Sequence, residues 1–161
     1  MNDSALIALG IFVAFAVAVA SLYTYTSISR EWLTTCINVN GVKLKVYVAD
    51  TEAKRCEGYK FKNSIDFKGV GAKGMVFIWL GGAPKVIGFT MQNVSFPLLL
   101  VHVAYVNGRY IVYNKTLMLP NHNGTYVFTT VSSYDYFLEL DPSLDKYISI
   151  GDTVYIEPCY R

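Results

Sequence analysis

The first segment of the chain is apolar on every face. Between Ala5 and Ala20, in the sequence ALIALGIFVAFAVAVA, no side chain can form a hydrogen bond, and the run continues through SLYTY to Tyr25. As a helix, about 21 residues measure roughly 31 Å, close to the hydrocarbon thickness of a bilayer. The run shows no polar stripe of the kind that helices of soluble domains usually carry, which weighs against a buried helix of a soluble domain. We therefore predict a transmembrane helix from Ala5 to Tyr25.

Two other roles are open for this segment. Ala18, Val19 and Ala20 form an A-x-A site like that of a cleaved secretory signal, although the start MNDS lacks the basic residues of such signals. An apolar helix in front of a β domain also resembles archaeal pilins, whose helices bundle into a filament core. The flanking charges give little orientation, because Arg30 stands beside Glu31.

Beyond residue 30 the apolar positions follow the pattern of short strands separated by turns. Asn40-Gly41 and Asn107-Gly108 each lie between two apolar-rich runs, and Asn-Gly accepts the positive φ of a type I′ hairpin turn. The predicted strands are Cys36 to Val39, Val42 to Val48, Met75 to Leu80, Val86 to Phe89, Leu98 to Val106, Tyr110 to Tyr113, Thr125 to Val131, Tyr136 to Leu140 and Thr153 to Glu157.

One short helix is predicted among these strands, from Glu52 to Glu57. Asp50 or Thr51 would be its N-cap, and Gly58 would end it. Short strands at fairly regular spacing, with no long helices between them, favour a mainly β fold, a compact antiparallel sandwich or barrel of about nine strands. We divide the chain into a membrane anchor and connection, residues 1–30, and a β domain, residues 31–161.

The composition narrows the possible partners. The chain has 161 residues, a formal net charge of +2 and no run of Lys or Arg, so it lacks the basic surface that nucleic acids require. Only 16% of the residues are charged, whereas Tyr occurs 13 times, which indicates a surface that is adhesive or covered by sugar.

Three sequons indicate the side of the membrane on which the β domain lies. Asn93-Val-Ser, Asn114-Lys-Thr and Asn123-Gly-Thr are possible N-glycosylation sites, and acceptor asparagines are typical of an extracytoplasmic face. We therefore predict a single-pass membrane protein with its β domain on the outer face.

Five motifs in a fixed order then identify a resemblance. They are V-A-D-T-E-A-K-R-C-E-G at 48–58, G-M-V-F at 74–77, F-T-M-Q-N-V-S-F-P-L at 89–98, Y-F-L-E-L at 136–140 and G-D-T-V at 151–154. Together they resemble the domain of unknown function 192 family, over about 110 residues. The resemblance implies a compact, mostly β domain, often secreted or membrane-anchored in prokaryotes, with no agreed activity.

The chain departs from the family at several polar positions. The family's G-L-M-x-R box reads G-Y-K-F-K here, so that Lys62 replaces a guanidinium with a point charge. The family's W-M-K-N-T and P-L-D motifs read T-M-Q-N-V and P-L-L, and Gln92, Val94 and Leu99 replace a cation, a hydroxyl and a carboxylate. A ligand site of the relatives would therefore be altered in this chain.

The cysteines do not have metal-ligand spacing, and no motif indicates a cofactor. Cys36 and Cys159 lie at the first and last strands, where they would form either a disulfide in an oxidising compartment or two buried thiols. Cys56, in the predicted helix, is interpreted as a packing residue.

The same reasoning selects no catalytic residue. His102 is interpreted as a half-buried strand histidine and His122 as a loop residue, and neither forms a catalytic pair with Cys56 because no orienting group is indicated. Asp135, Glu139, Asp141 and Asp145 would suit calcium or acid–base chemistry. We instead interpret Glu139 as an acceptor of hydrogen bonds from the backbone or from Arg or Lys, and Asp141 as the start of a turn. The remaining candidates for a ligand pocket are Lys60, Lys62, Gln92, Asn93, Glu139 and Asp152.

Three functions remain possible. The first is a noncatalytic module at the cell surface that binds an envelope protein or a glycan. The second is a pilin-like subunit that forms a homo-oligomer through its apolar helix. The third is an envelope hydrolase that uses carboxylates such as Glu139 and Asp152.

Overall fold

A computed structural model describes residues 31–120 and 122–159 of the chain. The predicted transmembrane segment, Ala5 to Tyr25, lies outside the described residues. Within them, no helix has the length and apolar character needed to span a bilayer.

The described part of the chain forms nine strands, one short α-helix and one 3₁₀ helix, which confirms the predicted mainly β fold. The strands are β1 (Thr34–Val39), β2 (Val42–Ala49), β3 (Gly74–Phe77), β4 (Val86–Thr90), β5 (Leu98–Val106), β6 (Arg109–Met118), β7 (Thr125–Thr129), β8 (Tyr136–Leu140) and β9 (Val154–Glu157). The helices are α1 (Glu52–Glu57) and the 3₁₀ helix η1 (Pro142–Tyr147).

Seven of the strands form one curled sheet in the order β6-β5-β8-β3-β2-β1-β9. Its two ends meet at a bridge between Ile111 and Thr153 and at a hydrogen bond from Val112 N to Asp152 O of 2.8 Å. The sheet is therefore a partly closed barrel. A separate ribbon of β4 and β7 completes the fold.

The prediction of an all-antiparallel sheet is wrong for one strand pair. β2 and β3 run parallel, with Tyr47 opposite Met75 and Ala49 opposite Phe77. The physical reason is the long connection between them, which contains α1 and brings the chain back in the same direction. All other pairs are antiparallel.

The two Asn-Gly hairpins form as predicted. Asn40 and Gly41 have φ values of 48° and 88°, and Asn107 and Gly108 have 50° and 82°. Positive φ at both central residues gives the type I′ turn, whose twist matches that of the paired strands.

Most strand bounds lie within one or two residues of the prediction, and three elements depart further or differ in kind. β6 extends to Met118, because the polar residues Asn114 and Lys115 continue to pair with β5 across a bulge at His102/Val103. β3 ends at Phe77 rather than at Leu80. η1 replaces the predicted turn, and Asp141 Oδ1 accepts a hydrogen bond of 2.9 Å from Ser143 N at its start.

The two faces of the sheet carry separate apolar cores. On β8, Tyr136, Leu138 and Leu140 belong to an aliphatic-rich core on one face. Phe137 belongs to an aromatic-rich core on the other face, together with Tyr59 and residues of the β4–β7 ribbon. The alternation of a strand therefore places Glu139 on the same face as Phe137.

Cys36 and Cys159 form a disulfide that joins β1 to the chain just beyond β9, with Cα atoms 5.0 Å apart. Strand pairing brings them together, because Cys36 lies opposite Glu157. Cys56 is free and exposed.

Candidate functional site

A cavity of about 440 Å³ lies between α1, the ends of β3 and β8, and β4. We call it the α1 cavity. Thr51 fixes the start of α1 by accepting a hydrogen bond of 3.3 Å from Lys54 N. Gly58 ends the helix with a φ of 48°, and the chain then turns along the rim of the cavity.

Glu139 is the buried polar residue of the α1 cavity. Its relative exposure is 6%, and its carboxyl group has no hydrogen-bond partner among the described residues. The prediction that Glu139 accepts hydrogen bonds from the backbone or from Arg or Lys is therefore wrong, because the carboxyl group points into a cavity lined mostly by apolar rings on its inner side. Among the described residues, two side-chain oxygens are fully buried and have no hydrogen-bond partner, the hydroxyls of Tyr59 and Tyr136. The Glu139 carboxyl group is not one of them, so it is accessible from the cavity that it lines. Burial raises the pKa of Glu139 to about 8, and the group is therefore mostly protonated at neutral pH.

Aromatic rings form the apolar wall of the α1 cavity. Phe77 and Phe89 meet edge to face with ring centroids 5.5 Å apart, and Trp79 meets Phe137 in the same way at 6.2 Å. Such contacts hold rings in place beyond the effect of their burial. The wall therefore offers flat, rigid surfaces to a ligand.

Tyr59 contributes a second buried oxygen. Its hydroxyl has no partner among the described residues. Burial, reinforced by the nearby Glu139, raises the pKa of Tyr59 far above its ordinary value. The phenol therefore stays protonated.

Two cations line the α1 cavity, Arg55 and Lys60, and neither pairs with an acidic side chain of the described residues. Arg55 donates from Nη1 to the carbonyl oxygens of Asp50, at 2.9 Å, and of Ile78, at 2.8 Å, and it lies 5.2 Å from the Trp79 ring. The Lys60 ammonium group has no partner among the described residues.

The acidic residues of α1 offset these cations only in part. Glu57 is paired with Lys62 by a salt bridge, whereas Glu52 is exposed at the rim. With Glu139 protonated, the formal charge of the lining is positive once the Glu57–Lys62 pair is counted as neutral.

A second depression, which we call the outer cleft, adjoins the α1 cavity. Its volume is about 840 Å³, and Thr90 and Val94 line both. Residues 61–63, 90–95 and 122–125 line the outer cleft. Asn93 has a φ of 61° in this cleft, and its carbonyl oxygen accepts a hydrogen bond of 2.9 Å from Phe61 N.

The six predicted ligand residues do not line one cavity. Lys60 and Glu139 line the α1 cavity. Lys62, Gln92 and Asn93 line the outer cleft. Asp152 lines neither; its Oδ2 accepts a hydrogen bond of 2.8 Å from Ser149 N in the turn before β9. A role in binding stays a prediction for all six.

The predicted glycosylation sites are accessible. Asn93, Asn114 and Asn123 are all exposed, and Asn123 lines the outer cleft. Their modification stays a prediction.

Sequence reasoning missed one pair. His102 on β5 and Asp135, just before β8, lie 2.8 Å apart and are both buried. The orienting group that the sequence did not indicate is therefore Asp135, at a separation of 33 residues. Cys56 is not part of this pair, because it lines the α1 cavity.

Comparisons with known proteins support the fold. A model of the DUF192 family, described as an uncharacterized ACR, matches residues 35–156. A solved structure from Sinorhizobium meliloti 1021, described as a candidate transcription regulator, superposes with a TM-score of 0.63 at 14% identity, covering 78% of this chain and 95% of that chain.

A second solved structure, a protein of unknown function from Novosphingobium aromaticivorans DSM 12444, gives a TM-score of 0.57 at 19% identity over 76% of this chain and 84% of that chain. At these identities the two structures show the fold alone. No curated protein matches the chain significantly.

Proposed function

The chain belongs to the DUF192 family, and we propose that its β domain is a noncatalytic module that binds an anionic group of an envelope polymer in the α1 cavity. The observation that carries this proposal is the carboxyl group of Glu139, which is 6% exposed, lines the α1 cavity and has no hydrogen-bond partner among the described residues. Buried polar groups without a partner are costly, and a ligand that pairs with the group offsets that cost.

The protonation of Glu139 supports an anionic ligand. A protonated carboxyl group donates a hydrogen bond, and a carboxylate or phosphate oxygen of a ligand is the strongest acceptor for it. The two cations of the cavity, Arg55 and Lys60, add favourable charge. A cationic ligand would meet both positive charges.

The aromatic wall supports a ligand with a flat or ring-shaped body. Phe77, Trp79 and Phe89 present apolar surface beside the polar groups. Acidic sugars combine a ring with a carboxylate, and they occur in envelope polymers. The volume of about 440 Å³ is in the range of small-molecule pockets, ~300 to 1,000 Å³.

The proposed location follows from the sequence. The apolar segment from Ala5 to Tyr25 would hold the domain at the membrane, and the sequons at Asn93, Asn114 and Asn123 support its outer face. An extracytoplasmic position would give the module access to envelope polymers.

The binding proposal is tested by a matched pair of probes, glucuronate and glucose, which differ in the carboxylate. The full chain is held in detergent micelles, and the indole N–H resonances of its two tryptophans are recorded during titration. Because Trp79 lines the α1 cavity and Trp32 does not, glucuronate should shift the Trp79 resonance saturably, and glucose should not.

Two lysine variants serve as the protein control. Lys60→Ala should weaken glucuronate binding about two- to fivefold, the effect of one partly exposed ion pair. Lys68→Ala, at an exposed lysine outside the cavity, should leave it unchanged. Equal shifts of Trp79 by glucose and glucuronate, or equal effects of the two variants, would contradict an anion site.

A further inference from the structure

A buried histidine–carboxylate pair lies on the aromatic face of the sheet. His102 Nε2 is 2.8 Å from Asp135 Oδ2, and their side chains are 2% and 0% exposed. Asp135 also accepts hydrogen bonds from Tyr105 N at 3.1 Å and from Val131 N at 2.7 Å. The carboxylate is thus surrounded by donors, and Nε2–H of His102 is the third.

The other ring nitrogen of His102, Nδ1, has no hydrogen-bond partner among the described residues. It is also not fully buried, unlike the unpaired hydroxyls of Tyr59 and Tyr136. A ring that is 98% buried therefore keeps one nitrogen open to a cavity. Such an atom, held by its oriented partner, is a preformed hydrogen-bonding point.

The cavity that His102 lines is about 350 Å³ in volume and lies between β6 and β7. We call it the β6–β7 cavity. Hydroxyl, amide and aromatic side chains form its lining, and the described residues that line it include no Lys, Arg, Asp or Glu. They include Tyr113, Asn114, Thr116, Tyr126 and Thr129.

The imidazole ring is fixed by aromatic neighbours. It stacks on Phe137 with centroids 4.5 Å apart and planes at 12°, and Tyr113 meets it edge-on at 5.2 Å. Phe128 also contacts the ring, at 6.5 Å. Nδ1 is therefore presented in one direction.

This cavity is separate from the α1 cavity. No residue in the described part of the chain lines both cavities. Phe128 contacts Phe137 at 5.6 Å and Phe89 at 6.3 Å, so that aromatic rings stand between the two cavities on the same face of the sheet.

We propose that the β6–β7 cavity is a second binding site, which takes a neutral polyhydroxylated ring such as a sugar through a hydrogen bond between a ligand hydroxyl and His102 Nδ1. A hydroxyl both donates and accepts, so it satisfies Nδ1 whether or not that atom carries a hydrogen. The tyrosine side chains of the lining offer apolar surface to the carbon atoms of the sugar. A charged ligand would lose its hydration in a lining without an opposite charge.

The side-chain resonances of the two histidines test this proposal. The full chain is produced in a host that does not N-glycosylate and is labelled with ¹⁵N-histidine in micelles; a His122→Asn variant assigns the signals. Glucose should shift the His102 ring nitrogens saturably at millimolar concentration.

Matched tyrosine variants locate the binding. Tyr113→Ala should weaken glucose binding about three- to tenfold, the range of one aromatic contact. Tyr155→Ala, at an exposed tyrosine on β9, should leave it unchanged. Tyr113 is itself 48% exposed, so its truncation leaves the fold intact.

Three results would overturn the proposal. The first is an unchanged His102 signal at about 100 mM glucose, because glucose would then bind more weakly than a specific site does. The second is an equal effect of the two tyrosine variants. The third is a shift of His102 by glucuronate as large as that by glucose. The first two results do not depend on the α1 cavity, because they are measured with glucose alone.

Discussion

Ionisation of the buried Glu139 destabilises the folded protein. The group has a raised pKa of about 8 because burial disfavours the carboxylate, whereas an unfolded chain restores the ordinary value of 4.5. Between these two values the folded protein holds a proton that the unfolded chain has lost. The free energy of unfolding therefore falls as pH rises from about 4.5 to about 8, and it levels off above that.

The Glu139→Gln variant tests this dependence. Gln has the same shape and cannot ionise, so we expect it to match the wild type near pH 5 and to be more stable near pH 9, by on the order of 3 to 5 kcal/mol. Thermal unfolding of both proteins in micelles at pH 5, 7 and 9 measures the difference. Glu52→Gln, at an exposed glutamate of the same cavity rim, should show no such trend.

The Glu139→Gln variant also tests how the affinity for glucuronate depends on pH. As pH rises through about 8, ionised Glu139 repels an anion, so the affinity for glucuronate should fall in the wild type. The Gln variant should bind with nearly constant affinity from pH 7 to 9, because its amide donates at every pH. A glucuronate affinity that does not fall with pH in the wild type would contradict a contact between the ligand's carboxylate and Glu139.

At the scale of elements, the contact between β3 and β8 leaves no room for a side chain at Gly74. A Cβ atom there would lie 2.4 Å from Glu139 O and 2.5 Å from Leu140 Cδ2. Both atoms belong to β8, which pairs with β3 and β5. The backbone oxygen of Glu139 therefore cannot move without disturbing two strand pairs. The glycine of the G-M-V-F motif is therefore explained by packing.

We expect Gly74→Ala to destabilise the fold by about 1 to 3 kcal/mol, the usual effect of overpacking. Gly81→Ala is the matched control, because a Cβ atom at Gly81 meets nothing within 4 Å and its φ is not positive. Thermal unfolding of the two variants measures the contrast. Similar stabilities would show that β3 and β8 can separate without cost.

Local sequence patterns predicted some elements well, and they failed where an element depends on residues far away in the sequence. The bounds of α1 and β8 follow from a capping threonine, an ending glycine and a five-residue apolar run, which are local features. The parallel direction of β3 depends on the path of a long connection, which no local pattern reveals. β6 was underestimated because the polar run from Asn114 resembles a loop although it pairs with β5.

Among the candidate site residues too, local patterns identified some, and others depend on strand pairing. Glu139 was a candidate because it stands in a recognisable motif, and strand alternation places it on the aromatic face. Asp152 was grouped with it only by closeness in sequence, and it lies in a turn instead. The His102–Asp135 pair depends on strand pairing between β5 and β8, so single-sequence reasoning could not find it.

At the scale of the whole molecule, the disulfide closes almost the entire domain. Cys36 and Cys159 are 123 residues apart, so the unfolded chain loses much of its freedom when they are joined. We expect the Cys36→Ala, Cys159→Ala double variant to lose about 2 to 5 kcal/mol of stability, measured by thermal unfolding. Cys56→Ala, at the exposed free cysteine, should have little effect.

The exposed Cys56 also makes the location of the domain testable without adding a label site. A membrane-impermeant maleimide applied to intact spheroplasts reaches only thiols on the outer face. If the β domain lies outside, the reagent should modify one cysteine per chain, Cys56, because Cys36 and Cys159 are joined. The Cys56→Ala variant should remain unmodified until a reductant is added.

Labelling that requires permeabilised cells would place the domain in the cytoplasm, where disulfides are rare. The accessibility of Cys56 and the oxidation of Cys36 and Cys159 are therefore linked. If the domain lies on the outer face, Cys56 should be labelled and the Cys36–Cys159 pair should be oxidised. Labelling of all three cysteines in intact spheroplasts would separate them, and it would show that the domain is exported but not stabilised by the disulfide.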